Sequence, residues 1–418
     1  MEYQPRLVDV ELRDRLQAVG AVLLRGPKAC GKTETARQQA NSEIQIDDSP
    51  LVLTAMASDP TYLLQGATPR LIDEWQEQLP LWNTVRHEVD RRQGKGQFIL
   101  TGSSTPRDDA LTHLHSGVGR FGVVDVRTMT WFERDWSTGD VSLAELLAGG
   151  EASSAASDID LPAVAAKLAV GGWPGNLGLS ERHALEANRD YLELLVTQDM
   201  RRAAGARLDP GRVRRVLQSL SRNVSAECEI STIAADAGGA DGPLSRNTVA
   251  EYLEALRLLM VTEDLTAWSA HIRSRARLRK SPKRHFADPS LACSALGLTP
   301  DRLLKDLGFL GLLFESQAVH DLRCYAQLSN GHLSHYRDSN GLEADAVLEQ
   351  ADGSWAAFEV KLGFGAVQAG ASSLLAFAAN IDRSKTGPPL ALVVITGSGF
   401  AHRRPDGVYV VPLDRLRA

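Results

Sequence analysis

Short apolar runs separated by helix-length amphipathic stretches fill the first third of the chain. Candidate strands lie at 20–25, 43–47, 69–73, 97–102 and 121–127, and Leu79–Arg92 carries apolar residues at helical spacing. Strands alternating with helices predict a parallel sheet with crossover helices, an α/β core. The pattern then changes. Residues 138–160 are rich in Gly, Ala, Ser and Asp and read as a loop or linker. Residues 161–205 read as helical, interrupted by Gly171-Gly172-Trp173-Pro174-Gly175. Residues 211–268 predict a winged helix-turn-helix. Its helices are Val213–Leu220, Ile230–Gly238 and Arg246–Leu259, the last capped by Ser245 with Val249, Leu253, Leu256 and Leu259 at core spacing. Val261–Leu265 would be the wing. Beyond residue 290, an amphipathic helix at Leu304–Tyr325 precedes strands at Leu333–Arg337, Leu342–Leu348, Trp355–Lys361, Pro389–Ile395 and Val408–Leu413. Ser339-Asn340-Gly341 is a hairpin turn signal between the first two.

Composition narrows this picture. A chain of 418 residues is long for one core and predicts several domains. Its hydrophobic and charged contents are those of a soluble globular protein. A net charge of −6 supplies no global basic field, so any contact with nucleic acid must come from a local patch. Cys30, Cys228, Cys293 and Cys324 lie far apart without a C-x-x-C pair, against a zinc site or disulfide framework and in keeping with a reducing cytosol. No apolar signal core or membrane-length run is present, so a cytoplasmic protein without a membrane partner is expected.

The chemistry concentrates in three places. Gly26-Pro27-Lys28-Ala29-Cys30-Gly31-Lys32-Thr33 is a complete G-x-x-x-x-G-K-T loop between a strand and a helix that opens with Glu34. Backbone N–H groups and the helix dipole there form an anion cradle. Lys32 would reach the β- and γ-phosphates of ATP, and Thr33 would hold Mg²⁺. Cys30, inside the loop, is either a redox-sensitive thiol or a small residue tolerated there. Asp73 and Glu74 end the next apolar strand, Asp73 placed for the Mg²⁺ shell and Glu74 to orient or deprotonate water. Thr101 or Ser103, ending another strand, would sense the γ-phosphate.

The second place is basic. His271–His285 holds Arg273, Arg275, Arg277, Arg279, Lys280, Lys283 and Arg284 without an acid. The four alternating arginines would share one strand face. With Arg246 and Asn247 at the start of the third helix, they are the candidate DNA contacts. The third place is Asp345 with Glu359-x-Lys361, which suits Mg²⁺-dependent phosphodiester cleavage, with Asp345 and Glu359 as metal ligands and Glu315 completing the cluster.

Taken together, Tyr3-x-Pro-Arg6 with Asp9, the GAVLLRGPKACGKT stretch, LIDEW, FILTGSS, Ser116–Arg120, Gly171–Pro174, SPKRHFADPSL, FESQ, GLEADAVL and FEVKLG resemble the prokaryotic predicted AAA+ ATPases whose C-terminal half is a domain of unknown function related to restriction-endonuclease-like folds. The resemblance implies ATP binding, a winged-helix module and a nuclease-like end. A core of this kind is also expected to assemble as a homo-oligomer, a hexameric ring or a smaller oligomer, in which Arg120 would act as an arginine finger on a neighbour. The implied domains are an ATPase core at 1–137, a linker and helical lid at 138–210, a winged helix with basic strand at 211–288 and a nuclease-like domain at 289–418. The expected function is an Mg²⁺-dependent ATPase coupled to DNA, branched or junction DNA included. The rivals are a nucleotide-switched scaffold with protein partners and an ATP-gated nuclease.

Overall fold

The computed structural model describes residues 3–102, 116–204, 208–239, 242–269, 281–338 and 340–418. The chain divides into two compact units. One comprises Met1–Thr128 with Trp173–Gly175 and Ala255–Val261; the other comprises Met129–Gly172, Asn176–Glu254 and Thr262–Ala418.

In the first unit, β1 (Ala21–Arg25), β2 (Ser42–Gln45), β3 (Arg70–Asp73), β4 (Phe98–Gly102) and β5 (Phe121–Asp125) form one sheet in the order β2-β3-β4-β1-β5. Every pair is parallel. The central strands are apolar on both faces because helices cover both. Ala21, Ile72, Phe98 and Leu100 pack with Val85 and Val89 of the Leu81–Arg92 helix. Val22, Leu24, Leu71 and Ile99 pack with Leu12 and Leu16 of the Val8–Ala18 helix. Because β4 lies between β1 and β3, the phosphate loop leaving Arg25 and the carboxylates ending β3 emerge at one edge of the sheet, flanking Gly102.

The second unit holds a mixed sheet. Its strands are β7 (His332–Arg337), β8 (Glu343–Glu349), β9 (Trp355–Lys361), β10 (Leu392–Thr396), β11 (His402–Arg403) and β12 (Tyr409–Pro412), in the order β11-β12-β10-β9-β8-β7. The Leu307–Leu328 and Val367–Asn380 helices pack on it. Helices Pro210–Arg222 and Ile230–Ala237 pack on each other, and Arg246–Leu258 follows, its N-terminus capped by Ser245 Oγ accepting from Thr248 N at 3.0 Å. The expected wing at Val261–Leu265 is not a strand. It makes single bridges, Thr262 to Phe286 and Leu265 to Lys283.

Residues 138–160 are less of a linker than their composition suggests. Within them β6 (Val141–Ser142) pairs in parallel with β13 (Leu416–Arg417). Ser142 Oγ donates to Ala418 O at 2.9 Å, Ser157 Oγ to Asp414 Oδ2 at 2.7 Å, and Tyr409 Oη to Gly150 O at 2.9 Å. Among the described residues no helix is long and apolar enough to cross a membrane.

Candidate functional site

The phosphate loop is built by what its residues lack. A Cβ at Gly26 would stand 2.0 Å from the Val126 carbonyl oxygen, and Gly31 takes φ +100° where the chain turns into the Lys32–Arg37 helix. Neither place tolerates a side chain without displacement. Lys32 is 6% exposed, and its Nζ donates to Gly26 O at 3.0 Å and Pro27 O at 2.8 Å. Thr33 Oγ1 donates to Asp73 Oδ1 at 2.9 Å, and the Thr101 hydroxyl donates to the same oxygen. Three elements of the sheet edge therefore converge on one buried carboxylate. Glu74 follows at φ +55°, an uncommon conformation for a residue with a side chain, and accepts from the Gln76 amide. A cavity of about 420 Å³ is lined by Lys28, Ala29, Gly31, Lys32, Thr33, Glu34, Glu74 and Pro174.

This donor set fits ATP with Mg²⁺. Bare glycine backbone leaves room for phosphate oxygens, Lys32 brings an ammonium held by the neutral Gly26 and Pro27 carbonyls, and Thr33 with Asp73 offers the hydroxyl and carboxylate oxygens a hard cation prefers. Glu34 is exposed and pairs with Arg37 at 2.5 Å. Thr101, expected as a phosphate sensor, is turned onto Asp73; Ser103 lies outside the described residues. Cys30 is fully buried, its Sγ 3.2 Å from Val126 O, so the loop tolerates it as a small buried residue with no exposed thiol.

Two residues behind the loop were read in the sequence only as part of a resemblance. Arg6 is 7% exposed and donates to Cys30 O at 3.1 Å and Arg127 O at 2.9 Å, holding the loop from below. Asp9 fixes that arginine's strand of chain, accepting from Arg6 N at 2.8 Å and Tyr3 Oη at 2.6 Å. Arg120 precedes β5 at the opposite edge of the sheet from the loop, where it pairs with Asp90 at 2.8 Å. It is out of reach of its own chain's loop, which leaves a finger role only toward another subunit.

The C-terminal constellation is also assembled, with an unexpected member. Asp345 on β8, Glu359 and Lys361 on β9, and Glu315 on the Leu307–Leu328 helix meet in the second unit. Lys361 Nζ donates to Glu359 Oε2 at 2.5 Å and lies 3.6 Å from Asp345 Oδ2. Lys283 joins them. Expected on a basic DNA-binding face, it is instead 6% exposed and donates to Glu315 Oε1 at 2.7 Å and Asp345 Oδ1 at 3.1 Å. A side chain committed to two buried carboxylates is not available to a phosphate backbone. Burial, with Asp345 adding to it, pushes Glu315 up to about 8 and Glu359 up to about 7, while Lys283 and Lys361 hold Asp345 below its ordinary value. Among the described residues, no group of three or more His, Cys, Asp or Glu is disposed to hold a metal ion. The expected ligand pair Asp345 and Glu359 is met by ammonium groups, so this cluster does not fit Mg²⁺.

Of the remaining candidate DNA contacts, Arg246 and Asn247 are exposed at the start of the Arg246–Leu258 helix. Arg273, Arg275, Arg277, Arg279 and Lys280 lie outside the described residues.

Comparison with known proteins agrees with the first unit's geometry. Residues 19–134 match the family described as an AAA domain. This part of the chain is a parallel-sheet, P-loop ATPase-like core. Residues 162–302 and 310–416 match two families described as domains of unknown function, DUF8612 and DUF4143. Two uncharacterized mycobacterial proteins, Mb2031c of Mycobacterium bovis and Rv2008c of Mycobacterium tuberculosis, are each 27% identical to the chain over 412 residues, covering 97% of it and 82% of their own length. Among solved structures, the Walker-type ATPase of Pyrococcus abyssi aligns at 14% identity with a TM-score of 0.41, covering 69% of this chain and 94% of its own.

Proposed function

We propose that the chain is an Mg²⁺-dependent ATPase that couples its nucleotide state to DNA binding. The convergence of Thr33 and Thr101 on Asp73, beside the Lys32-lined cavity, carries the ATPase part of this reading. Lys32 exchanges the Gly26 and Pro27 carbonyls for phosphate oxygens. Thr33 would hold Mg²⁺, and Asp73 would orient the threonine hydroxyl and the ion's water shell; when bound, the ion would supply positive charge against that developing on the phosphates. Glu74 orients the attacking water, with Gln76 steadying its carboxylate. Arg6 keeps the loop in register from behind.

For DNA, the exposed Arg246 and the run Arg273–Lys280 supply positive charge on a chain that is acidic overall, and the exposed Asn247 amide supplies hydrogen-bonding groups beside it. Arg120 would complete a neighbour's site in a homo-oligomeric ring.

The test is ATPase rate with Mg²⁺, alone and with single-stranded, duplex and four-way-junction DNA at two salt concentrations. Stimulation by one form, weakening with salt, is expected. Hydrolysis indifferent to every DNA would favour the scaffold reading with protein partners. Glu74→Gln should retain ATP binding and lower turnover about 100-fold or more; undiminished turnover would reassign the water-orienting role.

A further inference from the structure

Three acids in the second unit are almost withdrawn from water: Glu315 is 9% exposed, Asp345 5% and Glu359 2%. Carboxylates so placed stay ionised only beside compensating charge. Lys361 offers part of it from the neighbouring strand position. Lys283 comes from elsewhere. Its backbone pairs with Leu265 in both directions, at 3.0 Å and 2.9 Å, and the next residue's N–H is held by Ala226 O at 3.0 Å. From this fixed segment the side chain runs inward until its ammonium stands between a helix carboxylate, Glu315, and a strand carboxylate, Asp345. The other Asp345 oxygen is taken by Val360 N at 2.9 Å and approached by Lys361. Glu359 is held by Lys361 and by Ser373 Oγ at 3.3 Å.

A divalent ion serving Glu315 and Asp345 would need the oxygens that Lys283 already bridges. An ammonium only donates hydrogen bonds, and a hard cation binds oxygen at closer range than the ammonium does. The two cannot share the place.

We propose that Lys283 is the permanent counter-cation of this cluster, standing where a metal ion would stand. The cluster is then an anchor, not a hydrolytic centre. It pins the segment that directly follows the basic run 271–280 to the C-terminal sheet. This inference is independent of the ATPase reading, since it concerns none of the phosphate-loop residues.

Mn²⁺ binding to the nucleotide-free full chain, followed by the electron paramagnetic resonance signal of the free ion, tests it. Wild type and Asp345→Asn should give the same isotherm. Lys283→Ala, shown folded by a cooperative melt, should gain one further site per chain, and the Lys283→Ala/Asp345→Asn double variant should lose it. Two results would overturn the proposal: a wild-type Mn²⁺ site abolished by Asp345→Asn, or a folded Lys283→Ala that gains none. If Lys283→Ala does not fold, the wild-type and Asp345→Asn isotherms still decide. Nicking of supercoiled DNA by wild type with Mn²⁺, lost in Lys361→Ala, would also overturn it.

Discussion

Lys32 and Lys283 are buried to the same degree, each 6% exposed, yet they sit in opposite chemical settings. Among the described residues, the hydrogen-bond partners of Lys32 are backbone carbonyls, which are dipoles without formal charge. Lys283 touches two carboxylates. A carbonyl-held ammonium gives up little when an anion of higher charge arrives, so it is fitted to a ligand that comes and goes. A carboxylate-held ammonium is already neutralised and would leave the Asp345 anion buried without it if it moved. Burial alone therefore says nothing about whether a lysine binds or braces; the charge of its partners does.

That contrast can be broken at its strongest point. Lys283→Met should cost about 3–5 kcal/mol of stability by leaving buried Asp345 without its cation, read by denaturant unfolding, while ATP affinity stays unchanged. Lys32→Ala should do the reverse. Turnover should drop about 100-fold to 1,000-fold, as for loss of one transition-state charge contact, while the melting temperature barely moves. Equal effects of both variants on stability would erase the distinction.

A pH series sharpens it. Glu315 and Glu359 have folded values above their ordinary one, so the folded state holds these protons more tightly than the unfolded chain. Their contribution is present below about pH 4.5 and is lost as pH rises toward about 8, for a fall of at least about 1 kcal/mol. The melting temperature should decline across that window, and Glu315→Gln should flatten the decline. The smallest effects come from two hydroxyls. Ser373→Ala removes a hydrogen bond to Glu359 and should cost about 1 kcal/mol of stability without touching ATPase rate. Thr101→Val removes one to Asp73 and should slow turnover several-fold at similar stability cost. A silent Thr101→Val would detach Asp73's orientation from turnover.

The phosphate loop and its sheet were legible because the central strands there are contiguous apolar runs and each function a contiguous motif. β9 was read at Trp355–Lys361, the bounds it takes in the fold. What escaped depends on where side chains end. Arg6 acts through two carbonyls, one far along the chain, and leaves no local pattern. Lys283 looked like the tail of a basic run. The available signal was its context, since Lys283 and His285 are both buried and alternate with the less buried Arg284 before the apolar Phe286-Ala287. Residues 138–160 have a linker's composition, and the pairing of Val141 and Ser142 with Leu416 and Arg417 spans too much sequence for a local reading.

Cys30 turns the phosphate loop into its own clock. The thiol is sealed behind the loop, so a thiol reagent reaches it only when Gly26–Gly31 lifts from Val126. The rate of Cys30 labelling then measures the opening equilibrium of this one segment, separately from global unfolding. Any nucleotide that holds the loop closed should lengthen the labelling time in proportion to its occupancy.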